Sequence, residues 1–217
     1  MSGQPGFAQD PGELFDVVRA DGSPTGLIKT RAAVHRDGDW HRAIHLWVAG
    51  RGAGGEPFLL FQRRSPEKDT WPDRLDATVG GHLGAGETVH DALREVHEEI
   101  GIHPDPARVI ELGTRVVASE SGAGVRDREV QSILLLRDDR PLQTYHPNPA
   151  EVAAIVRFPL PVLLDFLAGD HDDLAGVAMP PGGDPRPVRA RREDFVPNVD
   201  RDFYRVAIAA AAAIRGE

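Results

Sequence analysis

Gly80 to Ile102 reads GGHLGAGETVHDALREVHEEIGI, a glycine pair and a glycine-rich turn followed by a run dense in carboxylates. If a helix starts near Thr88, its 3.6-residue period sets Val89, Ala92, Leu93, Val96 and Ile100 on one apolar stripe and Glu95, Glu98 and Glu99 on a different face. The stripe fixes the helix by burial, and the acidic face is left for chemistry. Three carboxylates that close repel one another and raise each other's pKa unless a hard, oxygen-seeking cation such as Mg²⁺ neutralises them. Gly101 supplies the helix stop. The competing reading, a solvated acidic face of a surface helix, leaves the flanking glycines without a purpose.

Outward from this stretch the chain alternates strands and turns. Glu13 to Val18, His41 to Val48, Phe58 to Gln62, Ala77 to Val79, Val109 to Val117, Glu129 to Leu136 and Glu151 to Phe158 are rich in β-branched or aliphatic residues and bounded by turn residues, which predicts strands. The first is expected at a sheet edge. GRGAGGEP after the second is a turn. Pro161 to Ala168 predicts a helix with proline in its first turn, and Arg201 to Arg215 an alanine-rich closing helix. Glycine, proline and aspartate dominate Gly169 to Pro187, which reads as a loop or lid. The sum is a mixed α/β sandwich: a flexible leader over 1–12, a main domain over 13–168 and a C-terminal loop and helix over 169–217 packed on the same domain.

Composition narrows the function. The 217 residues, 41% of them hydrophobic, suit one domain with a substantial core. No apolar run spans a bilayer and no secretion signal opens the chain, so a cytoplasmic location without membrane attachment is expected. The absence of cysteine excludes disulfides, thiolate ligands and a thiol nucleophile. A net charge of −9 disfavours nucleic-acid polymers and implies that a phosphorylated substrate arrives with metal.

The 80–102 stretch resembles the signature box of the Nudix hydrolases, Gly-x5-Glu-x7-Arg-Glu-U-x-Glu-Glu-x-Gly-U, with U aliphatic. Arg94, Glu95, Val96, Glu98, Glu99, Gly101 and Ile102 fill its second half. Gly81 and Glu87 keep the first spacing, but six residues, Thr88 to Leu93, separate Glu87 from Arg94 where the family has seven. The resemblance implies a Nudix-type α/β/α sandwich with a mixed β-sheet. It also implies that Glu95, Glu98 and Glu99 hold Mg²⁺, with Mn²⁺ a substitute, and that Arg94 orients a carboxylate. The expected reaction is attack of water on a diphosphate linkage in a small metabolite, most simply a nucleoside di- or triphosphate or a derivative. Glu99 and Glu129 are the candidate bases, with Glu120 a further one. Gly80 and Gly81 admit backbone close to phosphates or metal. Arg63 and Arg64 at a strand end, or Arg126 and Arg128, have the fork geometry for phosphate, although solvated surface charges are the simpler account of all four.

Two further stretches, GSPTGLIKTRAAVHRDGDWHRAIHLW before the box and TWPDRLDATVGGH leading into it, resemble the isopentenyl-diphosphate isomerase branch of the same superfamily. That resemblance implies a second divalent metal on His35, His41, His82, Asp127 and Glu129. It also requires a cysteine where this chain has Gly80, so a hydrolase is expected and an isomerase is not. His45, His90, His97, His103, His146 and His171 read as surface or hydrogen-bonded structural residues, and Trp71 with Pro72 as a core-edge anchor that fixes a loop. Two alternatives stand beside the hydrolase: a non-catalytic module that binds a diphosphate, and an enzyme acting on prenyl diphosphates. A homodimer is compatible with the sequence.

Overall fold

The computed structural model describes residues 10–68, 70–120, 124–198 and 200–216. The leader expected over 1–12 therefore lies mostly outside the described residues. The strands are β1 (Leu14–Val18), β2 (Pro24–Thr30), β3 (Trp40–Arg51), β4 (Pro57–Arg64), β5 (Leu75–Asp76), β6 (Val79–His82), β7 (Val109–Glu120), β8 (Arg126–Arg137), β9 (Val152–Pro159), β10 (Asp173–Met179) and β11 (Arg186–Arg191). The helices are α1 (Arg31–Asp37), α2 (Arg94–Ile100), α3 (Leu160–Ala168) and α4 (Asp202–Arg215).

Strand β3 is the spine. Its alternation puts Ile44, Leu46 and Val48 on one face and Trp47 and Ala49 on the other, as a strand buried on both faces requires. Antiparallel pairing joins it to β4 and β6, and parallel pairing over Trp40–Ala49 joins it to β8, which makes the sheet mixed. From β4 the sheet continues through β9 and β10 to β11, and on the other side β1 leads to the edge strand β2 while β7 flanks β8. One face packs on α2 through Val96 and Ile100 and on the turn before it through Ala92 and Leu93, four residues of the stripe expected from the sequence. The other packs on α3 and α4, where Phe203, Val206, Ala207, Ala210 and Ile214 recur at helical spacing. Phe61 centres that core, with Trp47, Phe158, Phe195 and Phe203 edge-on at 5.0–5.6 Å.

Several expectations are corrected. Residues 169–187 are not a plain loop: β10 pairs with β9 and with β11, and Leu174, Ala178 and Ala190 are buried in the core. The glycines and prolines that suggested a loop serve this hairpin. Gly176 crosses Phe158 so closely that a Cβ would lie 2.5 Å from its ring, and Pro180–Gly183 makes the turn. Ala77 and Thr78 connect two short strands, and only Val79 of the 77–79 segment is in one. β1 lies between β2 and β3 and is not at the edge. β2 and α1 were not anticipated, because PTGLIKT is mostly exposed and α1 has only seven residues, started by Thr30 accepting from Ala33 N–H and stopped by left-handed Gly38.

Candidate active site

Strand β6 and helix α2 meet at Gly81. A Cβ there would sit 2.3 Å from Cγ, 2.5 Å from Cδ and 3.0 Å from Cβ of Glu95, so only glycine allows the helix to lie this close. Pairing of Gly80 with His45 and of Gly81 with Ile44 fixes the strand. Gly80 N–H then donates to Glu99 Oε2 at 3.3 Å, and Gln62 Nε2 donates to the same oxygen at 3.1 Å. Lys68 Nζ lies 3.6 Å from Glu99 Oε1 and also pairs with Glu151. Glu151 thus does more than begin a strand.

The helix itself starts at Arg94, after a 3₁₀ turn over Asp91–Leu93, and not at Thr88. A 3₁₀ turn rises about 2.0 Å per residue against 1.5 Å in an α-helix, so the shortened span still brings Glu87 to Arg94. Arg94 Nε and Nη2 donate to the two oxygens of Glu87 at 3.0 and 3.1 Å, and Nη1 donates to Glu95 at 2.5 Å and Glu98 at 3.3 Å. The deletion within the box leaves Glu87 in contact with its arginine.

Burial pushes the Glu99 carboxyl up to about 7 against the pull of Lys68. Burial first, and the neighbouring Glu99 second, push Glu95 up to about 8, with Arg94 opposing. Carboxylates that hold protons this strongly gain most from a divalent cation that replaces them. The Glu98 side chain is 54% exposed and does not line the cavity described below.

A second cluster forms where α1, β3, β6 and β8 converge. The register places His41 opposite Glu129, and single ligand atoms of His35, His41, His82 and Asp127 all lie within 4.8 Å of one another. Nε2 of His35, His41 and His82 and Oδ1 of Asp127 are buried without a hydrogen-bond partner among the described residues, which suits them to ligate a cation. Asp39 carbonyl lies 3.3 Å from His41 Nδ1, which orients the free nitrogen inward. Phe15 stacks on His41 and His82 at 5.3 and 5.0 Å.

Burial lowers His35 to about 4 and His82 to about 3 and lowers His41 as well, so the rings are neutral and offer lone pairs. Arg31 Nη1 faces His82 Nδ1 at 2.9 Å, and Nε2 of the same ring points into the cluster, 3.1 Å from Glu129 Oε1. Burial raises Asp127 well above the usual carboxylate range. For Glu129 burial acts the same way but is outweighed by His82, His41 and His45, which hold it low. This set suits a borderline divalent metal such as Zn²⁺ or Mn²⁺.

Both clusters open on one cavity of about 270 Å³. Arg31 and Lys68 line it, and sequence reasoning overlooked both: Lys68 stands in a polar SPEKDT loop that looks like any surface turn. Arg64 also lines it, but its guanidinium is engaged with Thr70 O and Oγ1 at 3.0 and 3.1 Å and with Asp76 at 3.3 Å. Arg63 donates to Asp73 O at 2.8 Å. These two arginines fasten the 65–74 loop and are not a free phosphate clamp. Arg63, Glu120, Arg126 and Arg128 are absent from the cavity wall. His45 lines it, 3.1 Å from Gln131 Nε2. Trp71 is not a core anchor: it is 39% exposed and lines the same cavity.

A three-layer sandwich whose glutamate helix crosses a glycine strand defines a Nudix domain. The NUDIX domain profile matches residues 39–175, well over half of the chain, and the protein belongs to the Nudix hydrolase family. It is 31% identical over 187 residues to an uncharacterised Nudix hydrolase of Clostridium acetobutylicum, covering 84% of this chain and 89% of that one. It is 36% identical over 143 residues to an isopentenyl-diphosphate Δ-isomerase of Paenarthrobacter aurescens, covering 65% of this chain and 73% of the isomerase. A crystal structure of a Deinococcus radiodurans protein is similar with a TM-score of 0.49 and 27% identity, covering 72% of this chain and 89% of that one. Among the described residues no helix is long and apolar enough to cross a membrane.

Proposed function

We propose that this protein is a Mg²⁺-dependent pyrophosphohydrolase that cleaves a diphosphate linkage in a nucleoside di- or triphosphate, or a derivative, by attack of water. The observation that carries the reading is the convergence of Glu95 and Glu99, both holding protons to near or above neutrality, on a cavity that also presents Arg31 and Lys68. Glu95, Glu98 and Glu99 would hold Mg²⁺ or Mn²⁺, and His35, His41, His82, Asp127 and Glu129 a second divalent cation. Bound there, the ions would neutralise phosphoryl charge and lower the pKa of water. Arg94 positions the glutamates, and Gly80 and Gly81 let backbone approach the diphosphate. Arg31 and Lys68 supply the remaining positive charge toward phosphoryl oxygens.

Of the two candidate bases, Glu99 lines the cavity beside Glu95 and fits the role, whereas Glu129, held low and against His82, fits a ligand better. The substrate is a small molecule in the cytoplasm and not a nucleic-acid polymer. Isomerisation of a prenyl diphosphate is not proposed, because the position that needs a thiol is Gly80 and the chain has no cysteine.

Phosphate release from nucleoside di- and triphosphates, nucleotide sugars and prenyl diphosphates, with and without Mg²⁺, tests the reading on wild type, Glu95→Gln and Glu98→Gln. Turnover that needs Mg²⁺ and Glu95 is expected. A folded protein that binds Mg²⁺ and a diphosphate yet turns over none of these compounds would be a binding module instead.

A further inference from the structure

The proposed hydrolase accounts for the polar end of the cavity but not for its other walls. Trp71 is a large aromatic side chain left 39% exposed on the cavity wall, and its backbone adopts φ +49°. A bulky residue rarely occupies the left-handed region, and such residues concentrate where the surroundings force a side chain into a working position. Here the surroundings are explicit. Arg64 holds the chain on one side through Thr70, at 3.0 and 3.1 Å, and Arg63 holds it on the other through Asp73, at 2.8 Å. Asp73 is also left-handed, with φ +59°. Two strand-anchored guanidiniums thus brace the three-residue step that presents the indole. A loop tryptophan serving only to pin its own loop would be buried, since its apolar area stabilises only when removed from water.

Elsewhere on the cavity wall stand Val117, Val196, Pro197 and Phe203, together with the amide of Asn198. Asn198 lines the cavity, and its Oδ1 accepts from Phe203 N–H at 3.3 Å. That bond assigns the amide orientation and leaves Nδ2 as a buried donor without a partner among the described residues. Buried donors are nearly always satisfied, so an unmatched one beside a cavity calls for an acceptor from a ligand. An exposed aromatic ring, apolar walls and an unmatched amide donor together fit a flat heteroaromatic ring that carries an acceptor atom. A flexible aliphatic chain would use the walls but satisfy neither the donor nor the π-face.

We propose that Trp71 and Asn198 form the subsite for the non-phosphate half of the substrate, and that this half is a nucleobase, stacked on Trp71 and accepting a hydrogen bond from Asn198 Nδ2. The assignment rests on the diphosphate reading of the cavity, because it places the diphosphate at the carboxylate and histidine end.

Calorimetric binding of ADP, isopentenyl diphosphate and inorganic pyrophosphate in Mg²⁺ tests it, with phosphate release followed in parallel, on the full-length protein and on Trp71→Leu, Trp71→Phe and Asn198→Ala. Loss of a stacking platform weakens base binding roughly 5- to 150-fold. Trp71→Leu is therefore expected to weaken ADP by about that factor and to leave pyrophosphate unchanged, while Trp71→Phe retains most of the affinity and Asn198→Ala weakens ADP alone. Equal weakening of ADP and pyrophosphate by Trp71→Leu would show a collapsed loop and overturn the assignment, as would ADP binding indifferent to Trp71 or isopentenyl diphosphate bound more tightly than ADP. The two readings separate cleanly. Ring-selective binding without turnover upholds the subsite and removes the hydrolase, and turnover indifferent to both residues does the reverse.

Discussion

Replacing Gly81 by alanine tests the joint between β6 and α2. The added methyl carbon would stand 2.3 Å from Glu95 Cγ and 3.0 Å from Glu95 Cβ, whereas carbon atoms rest at about 3.5–4.0 Å. Glu95 must then retreat by about 1.2 Å, the difference between the observed and the shortest resting separation. A rotamer change alone does not relieve this, because Cβ belongs to the helix stem, so α2 itself has to shift. Overpacking of this kind costs about 1–3 kcal/mol of stability, and a misplacement of about 1 Å at a reacting site lowers activity on the order of 100-fold.

Gly80→Ala is the control. There the new carbon meets only the His45 ring, at 3.7 Å, an ordinary contact, and neither glycine is among those with positive φ. Urea denaturation, calorimetric Mg²⁺ titration and phosphate release on the two variants form the assay. Gly81→Ala should lose stability by the stated amount, bind Mg²⁺ at least about tenfold more weakly and drop on the order of 100-fold in kcat/KM, with Gly80→Ala close to wild type in stability and Mg²⁺ affinity. Gly81→Ala with wild-type stability and Mg²⁺ affinity, or two variants that fail alike, would refute the close-approach argument.

Three further outcomes are expected. Glu95 and Glu99 titrate at about 8 and 7 in the fold against about 4.3 unfolded, so between those values the folded chain binds more protons. Metal-free stability should therefore fall as pH rises from about 4.3 to 8, Mg²⁺ should restore more of it at pH 8 than at pH 6, and Glu95→Gln should flatten the slope, all read by denaturation with and without Mg²⁺. His82→Gln should abolish high-affinity Zn²⁺ or Mn²⁺ binding in equilibrium dialysis while leaving Mg²⁺ binding at the glutamates intact; unchanged Zn²⁺ and Mn²⁺ uptake would remove the second cluster from consideration. Phe61→Ala removes a fully buried ring touched edge-on by four aromatic neighbours and should cost about 3–5 kcal/mol, measured as a shift in the urea midpoint.

What the sequence disclosed followed the strength of its periodic signals. The aliphatic run of β3 and the alanine-rich α4 were legible because burial enforces them over many residues, and the apolar stripe of the glutamate segment is buried although its helix begins only at Arg94. The β10–β11 hairpin escaped because its strands are short, outer and interrupted by Gly176, whose purpose, clearance for Phe158, depends on a residue eighteen positions earlier. Within the site, motif spacing located Glu95, Glu99 and the histidines. It could not locate Lys68, Asn198 or Trp71, whose place on the cavity wall comes from which way a connecting segment is folded. Arg63 and Arg64 show the same limit from the other side: their chemistry suits phosphate, yet neighbouring carbonyls claim their donors first.

The twelve residues of β3 carry a consequence of another kind. One strand sets the register of β6 and of β8, so His41, Gly80, Gly81, His82 and Glu129 share a single reference frame. Slipping any one of them by a residue would turn the others to the wrong side. The rim of the cavity has no such tie: Trp71 and Asn198 stand on connecting segments outside the named strands and helices. The molecule is thus divided into a part that tolerates almost no variation and a part that tolerates a good deal. Laboratory evolution toward new substrates should accumulate its changes at 70–73 and 196–198 and leave β3 and its partners untouched.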